Sequence, residues 1–247
     1  MRFADKVVFV TGSSRGLGAY LVYAFAKEGA SVVINYNKSY EDAVFLKKKI
    51  EEFGSCMLVC GDVSLEEDVS RMTQEIISCY GKIDILVNNA GICNDSLFDL
   101  KNVSSFRKVL DVNLIGTYLV SKYIGKIMLE NKSGKIINIS SDNGIDRYYP
   151  ESCDYDASKA GVISLTHNMA RFYAPYVNVN CVCPGWMNTD MNKNMDDSYK
   201  KGICNKILLG RFGEVSEISN LVLFLASDDA SYVNDSIIKV NGGINNE

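Results

Sequence analysis

The chain has very little histidine, proline and tryptophan. Its 247 residues include one histidine, three prolines and one tryptophan. With a single histidine and no CxxC pair, a Cys/His zinc site is not expected, and we predict no metal. No apolar run approaches the roughly 18 residues that a membrane-spanning helix needs, and Asp5 and Lys6 break the apolar start of the chain, which is not a signal peptide. We therefore expect no membrane partner.

An excess of positive charge is also missing. The formal net charge is −4, which argues against nucleic acid or an anionic membrane as the main partner. The eight cysteines have spacings that form no disulfide framework, so we expect reduced thiols and a cytoplasmic protein. Cys181 and Cys183, two positions apart, should point to the same side of a strand as small buried hydrophobes.

Short apolar runs alternate with helical segments along the chain. Helical spacing of apolar residues over 17–29 and a charged helix over about 39–53 separate the first three runs. Near-continuous apolar strands between helices predict a parallel sheet covered on both faces, and no linker interrupts it. We expect one Rossmann-type doubly wound α/β domain over residues 1–247. The predicted strands are "KVVFVTG" (6–12), "ASVVINY" (30–36), "CMLVCGDV" (56–63), "KIDILVNNAG" (82–91), "GKIINISS" (134–141), "VNVNCVCPG" (177–185) and "SIIKVNGG" (236–243).

A glycine-rich loop, "TGSSRGLG" (11–18), ends the first strand and opens the first helix. Gly12, Gly16 and Gly18 permit a tight turn, and a helix N-terminus offers backbone N–H groups to a phosphate. The alternative is a glycine-rich turn with no ligand.

Polar and small residues follow the other strands. In doubly wound sheets ligands bind beyond the carboxyl ends of the strands, so residues that follow different strands should share one rim. A further pair, Tyr155 and Lys159 in "CDYDASKAG", is four residues apart and projects from one face of a helix. The polar and small residues at the strand ends are Asp62, Asn88-Asn89-Ala90-Gly91, Ser140-Ser141 and Pro184-Gly185.

Taken together, "TGSSRGLG", "NNAG", "DVNLIG", "ISS…YDASK" and "CPGWMNTDM" resemble the short-chain dehydrogenase/reductase superfamily over residues 6 to about 243. The stretch "LGRFGEVSEISNLVLFLASDDASYVNDSIIKVNGG" is similar to the C-terminal third of 3-oxoacyl-[acyl-carrier-protein] reductases. Sugar and steroid dehydrogenases share much of that pattern, so the resemblance indicates the reaction type better than the substrate.

The resemblance implies a catalytic set of four residues. Tyr155 is the general acid, and Lys159 lowers its pKa and binds the nicotinamide ribose; a phenol with a pKa near 10 needs such a cation to work at neutral pH. Ser141 hydrogen-bonds the substrate oxygen, with Ser140 as the alternative because Ser141 lies 14 residues before Tyr155, a long interval. Asn113 holds a water in the proton path.

The cofactor that the resemblance implies is NADP(H). Enzymes that prefer NAD commonly carry an acid at the end of strand two; this chain has Tyr36, Asn37 and Lys38 there, and Arg15 adds charge from the glycine loop. The implied cofactor-binding residues are Gly12, Ser14, Arg15, Gly16, Leu17, Gly18, Tyr36, Asn37, Lys38, Asp62, Val63, Asn89, Ala90, Gly91, Tyr155, Lys159, Pro184, Gly185 and Thr189.

The predicted function is NADP(H)-dependent reduction of a ketone, with a 3-oxoacyl thioester on acyl carrier protein or coenzyme A, as in fatty acid biosynthesis, as the first choice. The alternatives are a sugar, steroid or xenobiotic ketone reductase and a non-catalytic nucleotide-sensing protein. The resemblance also implies a homotetramer.

An acidic carrier protein needs basic residues near the cleft. "RFYAPYVNVN" lacks one where it is expected, which leaves Lys132, Lys135 and Arg147 as candidates. We assign no chemical role to His167, Cys93 or Cys153.

Overall fold

Seven parallel strands form one sheet in the computed structural model, which describes residues 1–189 and 195–243. The strand order is β3-β2-β1-β4-β5-β6-β7. The strands are β1 (Val7–Val10), β2 (Ser31–Tyr36), β3 (Cys56–Cys60), β4 (Ile85–Asn88), β5 (Gly134–Ile139), β6 (Val177–Pro184) and β7 (Ile237–Val240).

Helices cover both faces of the sheet. Side chains alternate along a strand, so Val8 and Val10 of β1 pack into the layer of α1, α2 and α8, whereas Phe9 packs into the layer of α3, α5 and α6. The helices are α1 (Gly16–Lys27), α2 (Tyr40–Glu51), α3 (Glu66–Tyr80), α4 (Val103–Leu110), α5 (Gly116–Glu130), α6 (Cys153–Tyr173), α7 (Asp197–Cys204) and α8 (Val215–Ala226). The predicted doubly wound α/β fold is confirmed.

The topology decides where a ligand can bind. The chain winds outward from β1 through β2 to β3, then returns to the other side of β1 with β4. All pairings are parallel, so every strand ends at the same edge of the sheet. The crevice between the ends of β1 and β4 is the topological switch point, where doubly wound folds bind their ligands.

Several expected boundaries move: the strands expected over 82–91 and 236–243, for example, cover Ile85–Asn88 and Ile237–Val240. The strand expected over 56–63 ends at Cys60, because Gly61 N–H turns to the carbonyl of Tyr36 and Asp62 N–H to the Asp68 carboxylate. The helix expected over about 39–53 covers Tyr40–Glu51.

The cysteines behave as small hydrophobes and free thiols. Cys181 and Cys183 are fully buried on one side of β6 with their Sγ atoms 3.7 Å apart, as predicted. None of the eight cysteines is in a disulfide. No helix within the described ranges has the length and apolar character needed to cross a membrane.

Candidate active site

Tyr155 and Lys159 lie in the first two turns of α6, at the carboxyl edge of the sheet. Lys159 is buried, with 4% of its surface exposed. Its Nζ donates to the carbonyl of Ile139, the last residue of β5, at 2.9 Å and lies 5.5 Å from the centroid of the Tyr155 ring. A strand end therefore holds the lysine beside the phenol.

The structure separates the roles of the two serines. The Ser140 hydroxyl is buried and donates to the carbonyl of Lys159 at 2.8 Å, which ties β5 to α6. The Ser141 hydroxyl accepts from Asn143 N–H at 3.2 Å and lies near the Tyr155 hydroxyl, whose pKa it lowers. Only Ser141 has the geometry to share a substrate oxygen with Tyr155.

Asn113 lies in a π-helical turn, Asp111–Ile115, between α4 and α5, a distortion that often occurs at functional sites. Its side chain brackets Ile92, accepting from the backbone N–H at 2.8 Å and donating to the carbonyl at 2.9 Å. It also donates to Ser158 Oγ at 3.0 Å, and that hydroxyl donates to the Tyr155 carbonyl at 2.7 Å. A Cβ added at Gly91 would lie 3.4 Å from Asn113 Oδ1 and 3.5 Å from Lys159 Nζ, so both side chains border Gly91.

Burial governs the charges of this group. It raises the pKa of the Tyr155 phenol, contrary to the expected lowering by Lys159, and the nearby Ser141 hydroxyl acts in the opposite direction. Burial lowers the pKa of Lys159 to about 8. At neutral pH the phenol is thus a neutral proton donor, and Lys159 is a cation that releases its proton more readily than an exposed lysine.

The glycine loop forms an open cradle at the N-terminus of α1. Gly12 and Gly16 have φ of +60° and +59°, which side chains disfavour, and no atom lies within 4 Å of where a Gly16 Cβ would be. A Cβ at Gly18 would meet Asn89 Nδ2 at 2.6 Å. The first N–H groups of α1 have no side-chain cap, because the residue at the N-cap position is Arg15 and a guanidinium has no acceptor. Open space in front of uncapped amides fits a dinucleotide pyrophosphate.

Sequence reasoning missed the residues that shape this loop. Thr11 Oγ1 accepts from the backbone N–H groups of Asn89 and Ala90, both at 3.0 Å. Asn35 Oδ1 accepts from Gly12 N–H at 2.9 Å, and Ser13 Oγ donates to the Val10 carbonyl at 2.7 Å. Their polar character inside apolar strand ends was the available signal, because buried polar groups need partners.

The end of β2 lies beside the glycine loop. Tyr36 is partly buried, whereas Asn37, Lys38 and Arg15 are exposed. Asn37 Nδ2 donates to Asp62 Oδ2 at 2.8 Å, and Asp62 Oδ1 accepts from Ser64 Oγ at 2.6 Å. Within the described ranges, Arg15 and Lys38 have no ion-pair partner.

The remaining predicted cofactor residues lie at the same edge. Asn89 turns its amide into the glycine loop, donating to the carbonyls of Thr11 and Gly12 at 3.0 and 3.1 Å. Val63 is buried where it would meet a Cβ at Gly116. Ser14 and Leu17 belong to the glycine loop and α1, Ala90 and Gly91 follow β4, and Pro184, Gly185 and Thr189 end β6 or follow it. Asp190 and Met191 of the "CPGWMNTDM" motif lie outside the described residues.

This arrangement matches known proteins across the chain. The family model described as enoyl-(acyl carrier protein) reductase matches residues 12–245. The 3-oxoacyl-[acyl-carrier-protein] reductase FabG of Staphylococcus epidermidis is 38% identical over 242 residues, covering 97% of this chain and 99% of that protein. FabG of Thermotoga maritima is 34% identical over 251 residues, covering 99% of each. The chain belongs to the short-chain dehydrogenase/reductase family. It is an oxidoreductase of the family that acts on ketones and CH–OH groups.

Solved structures of the family are also similar. A gluconate 5-dehydrogenase from Burkholderia cenocepacia in complex with NADP and tartrate has a TM-score of 0.93 and 32% identity, covering 98% of this chain and 96% of that one. Levodione reductase has a TM-score of 0.92 and 32% identity, covering 98% of each chain. The substrates named for these relatives differ, so the family does not decide the substrate.

Buried polar contacts tie together the segment between β5 and α6. Arg147 was expected to supply surface charge, and that expectation is wrong: its side chain is only 10% exposed. It lies 3.8 Å from the buried Asp142 carboxylate and donates to Tyr149 Oη at 2.6 Å. Burial raises the pKa of Asp142 to about 6, against the opposing effect of Arg147. The Tyr149 ring packs edge-on against Trp186, with centroids 6.3 Å apart.

The expectation that Lys132 and Lys135 supply positive charge near the cleft for a carrier protein is also wrong. Both lie at the start of β5, and Lys135 Nζ donates to Asn178 Oδ1 at the start of β6. Because strands start at the edge opposite the active site, neither ammonium borders the cleft. His167 Nδ1 contacts Asp235 Oδ1 at 2.5 Å, far along α6 from Tyr155.

Proposed function

We propose that this protein reduces a ketone to a secondary alcohol with NADPH, and that its substrate is a 3-oxoacyl thioester. The observation that carries the proposal is the group of three side chains at the carboxyl edge of β5: the Ser141 hydroxyl lies near the Tyr155 phenol and lowers its pKa, and the buried Lys159 lies beside the phenol ring. A merely nucleotide-sensing protein has no need of a proton donor held in this way.

Each residue has one task in the proposed reaction. Bound NADPH supplies the hydride. Tyr155 donates its proton to the ketone oxygen, and Ser141 donates a hydrogen bond to the same oxygen. Lys159 stabilises the negative charge that the phenol acquires and binds the ribose. Lys159 then passes a proton to the phenolate and restores the phenol. Asn113 fixes the backbone around Ile92 and, through Ser158, the first turn of α6, and we propose that it also holds the water that replaces the proton Lys159 has given up.

The preference for NADPH rests on charge at the end of β2. Arg15 and Lys38 are exposed cations beside the glycine loop, and the carboxylate of Asp62 is held by Asn37 and Ser64. Tyr36→Asp would place an anion at the site of the 2′-phosphate, so we expect it to shift the ratio of kcat/KM values toward NADH. Steady-state kinetics with both cofactors measure this. Equal kcat/KM for NADPH and NADH in the wild type would contradict the preference.

The substrate proposal draws on the two FabG relatives and makes a carrier protein a weak partner. Lys201 and Lys206 are exposed lysines on and just after α7, which follows β6, and we propose that they supply the charge that a carrier protein meets. We expect acetoacetyl-coenzyme A to be reduced, with a modest gain on the carrier protein that shrinks with salt, because exposed charges are screened. Lys201→Glu with Lys206→Glu should erase that gain and spare the coenzyme A thioester. Failure of every acyl thioester would refute this choice.

A second candidate is a polar, sugar-derived ketone. The observation that favours it is that a gluconate 5-dehydrogenase of 32% identity has nearly the same fold, with a TM-score of 0.93. Assaying a panel of keto sugar acids beside acetoacetyl-coenzyme A distinguishes the two candidates by kcat/KM.

We also infer a cytoplasmic homotetramer in fatty acid biosynthesis from the same relatives. Exposed apolar side chains on three helices, Val103, Tyr118 and Phe172, support a subunit interface. Light scattering after size exclusion tests the assembly.

A further inference from the structure

One ion pair in the molecule is withdrawn almost completely from solvent. Lys101 Nζ lies 2.6 Å from Asp154 Oδ1, and the two side chains are 2% and 0% exposed. Most other ion pairs in the described ranges join exposed side chains, as Lys122 and Glu66 do at 49% and 52% exposure. Removing two charges from water is costly unless further hydrogen bonds compensate, so the contacts around this pair indicate what it does.

The pair joins two segments of the active-site edge. Lys101 Nζ also donates to the carbonyl of Asn94 at 2.7 Å, which draws together the segment that follows β4. Asp154 Oδ1 also accepts from the backbone N–H of Tyr155 at 2.9 Å. A single carboxylate oxygen thus holds both the lysine and the amide of the proton donor.

The same two segments meet at one other point. Ser96 N–H donates to the carbonyl of Glu151, just before α6, at 3.0 Å. Asn113 brackets the other end of the segment at Ile92. Between Ile92 and Ser96 at one end and Lys101 at the other, it is the ion pair that is joined to the Tyr155 backbone, through the bond from Tyr155 N–H to Asp154 Oδ1.

We propose that Lys101 is a positioning residue for the reaction: through Asp154 it sets the first turn of α6, and with it the orientation of Tyr155, against the segment 92–102. The inference rests on the proposed role of Tyr155. Lys101 touches no reacting atom.

Loss of the lysine should disturb this turn in a definite way. Asp154 Oδ2 is buried and has no hydrogen-bond partner among the described residues. Without Lys101 the carboxylate would keep a single donor, the Tyr155 amide, and a buried carboxylate with one hydrogen bond tends to move toward water. Such a movement turns the backbone that carries Tyr155, and a misplacement of about 1 Å reduces a rate by roughly 10²-fold.

Two measurements on the full-length protein test the proposal, with Lys122→Met as the matched control because it removes a lysine from an exposed ion pair. Hydrogen exchange followed by mass spectrometry needs no substrate. In Lys101→Met we expect peptides covering 92–102 and 153–156 to exchange at least about tenfold faster, with peptides of α1 unchanged. With any ketone that the wild type reduces, kcat should fall about 10- to 100-fold while the Kd for NADPH stays within about twofold. Lys101→Arg should restore part of kcat.

The outcomes separate this inference from the proposed function. Unchanged exchange in both peptides refutes the inference, whether or not a substrate is known. Normal kcat in Lys101→Met refutes it as well, while leaving ketone reduction intact. Should Lys101→Met fail to fold, Asp154→Asn and the double variant Lys101→Met/Asp154→Asn replace it. If Lys101 acts through Asp154, the double variant has the same kcat as Asp154→Asn, and an additional loss overturns the inference.

Discussion

Replacing Tyr155 by phenylalanine removes one oxygen atom from the centre of the site. The aromatic ring remains, so the ring's position relative to Lys159 Nζ, 5.5 Å from its centroid, need not change. Lys159 is held independently, by the carbonyl of Ile139 at 2.9 Å. The variant therefore loses the proposed proton donor near Ser141, and it keeps the Lys159 side chain that we propose binds the ribose.

The expected effect on rate follows from the missing donor. A positioned acid contributes about 10²–10⁴-fold to a rate, which corresponds to about 3–5 kcal/mol of activation free energy. The effect on stability is smaller, about 1 kcal/mol, because a typical internal hydrogen bond contributes that much. The Kd for NADPH should change by less than about threefold, since the Lys159 contact survives.

The assay is NADPH oxidation with a reactive ketone, beside fluorescence titration of NADPH and urea unfolding. Tyr173→Phe is the matched control: Tyr173 lies in the same helix, is buried, and donates its hydroxyl to the Ser121 carbonyl at 2.8 Å. We expect the control to lose similar stability and little kcat. A Tyr155→Phe variant with near wild-type kcat, or a control that loses as much activity, refutes Tyr155 as the acid.

Two further predictions concern its neighbours. Ser141→Ala should lower kcat at least about tenfold, because it removes a hydrogen bond to the developing charge. Ser140→Ala should mainly lower stability, because that hydroxyl donates to the Lys159 carbonyl. Equal losses of kcat and of stability in the two variants would contradict this division of roles. The folded pKa of Lys159, about 8, lies below its ordinary 10.5, so between those pH values the unfolded chain binds more protons and the stability contributed by this group rises with pH. Below pH 8 the buried ammonium lowers the free energy of unfolding by up to about 3 kcal/mol for a shift of this size. Lys159→Met should therefore unfold at a higher urea concentration than the wild type at pH 7, and the difference should shrink toward pH 10. A variant less stable than the wild type at pH 7 would contradict this prediction.

Much of the fold is determined by local patterns. Near-continuous apolar runs such as those of β1 and β5 cannot face water on either side, so a parallel sheet with two helical layers is the only arrangement that buries them. The sequence also predicts the turn at Gly12 and Gly16 and the shared helix face of Tyr155 and Lys159, because positive φ and helical periodicity are local properties. The four proposed catalytic residues lie where the motifs predict them.

Other features needed the tertiary structure, because they depend on contacts between distant segments. Ser140 and Ser141 are neighbours with the same chemistry, and only the packing of β5 against α6 turns one to the Lys159 carbonyl and the other to Tyr155. From the sequence Arg147 was expected to be a surface charge, but its side chain is enclosed beside Asp142 and Tyr149.

Which end of a strand a residue lies at, relative to the active site, is also decided by the packing of distant segments. Lys132 and Lys135 lie close in sequence to the active-site serines. They nevertheless lie just before and at the start of β5, whereas the serines follow its other end. Lys101 and Asp154 are 53 residues apart, and a sequence alone does not reveal that a helix start and a distant loop share one buried carboxylate. Local periodicity determines which elements form, whereas burial and partner choice are decided only when the elements pack.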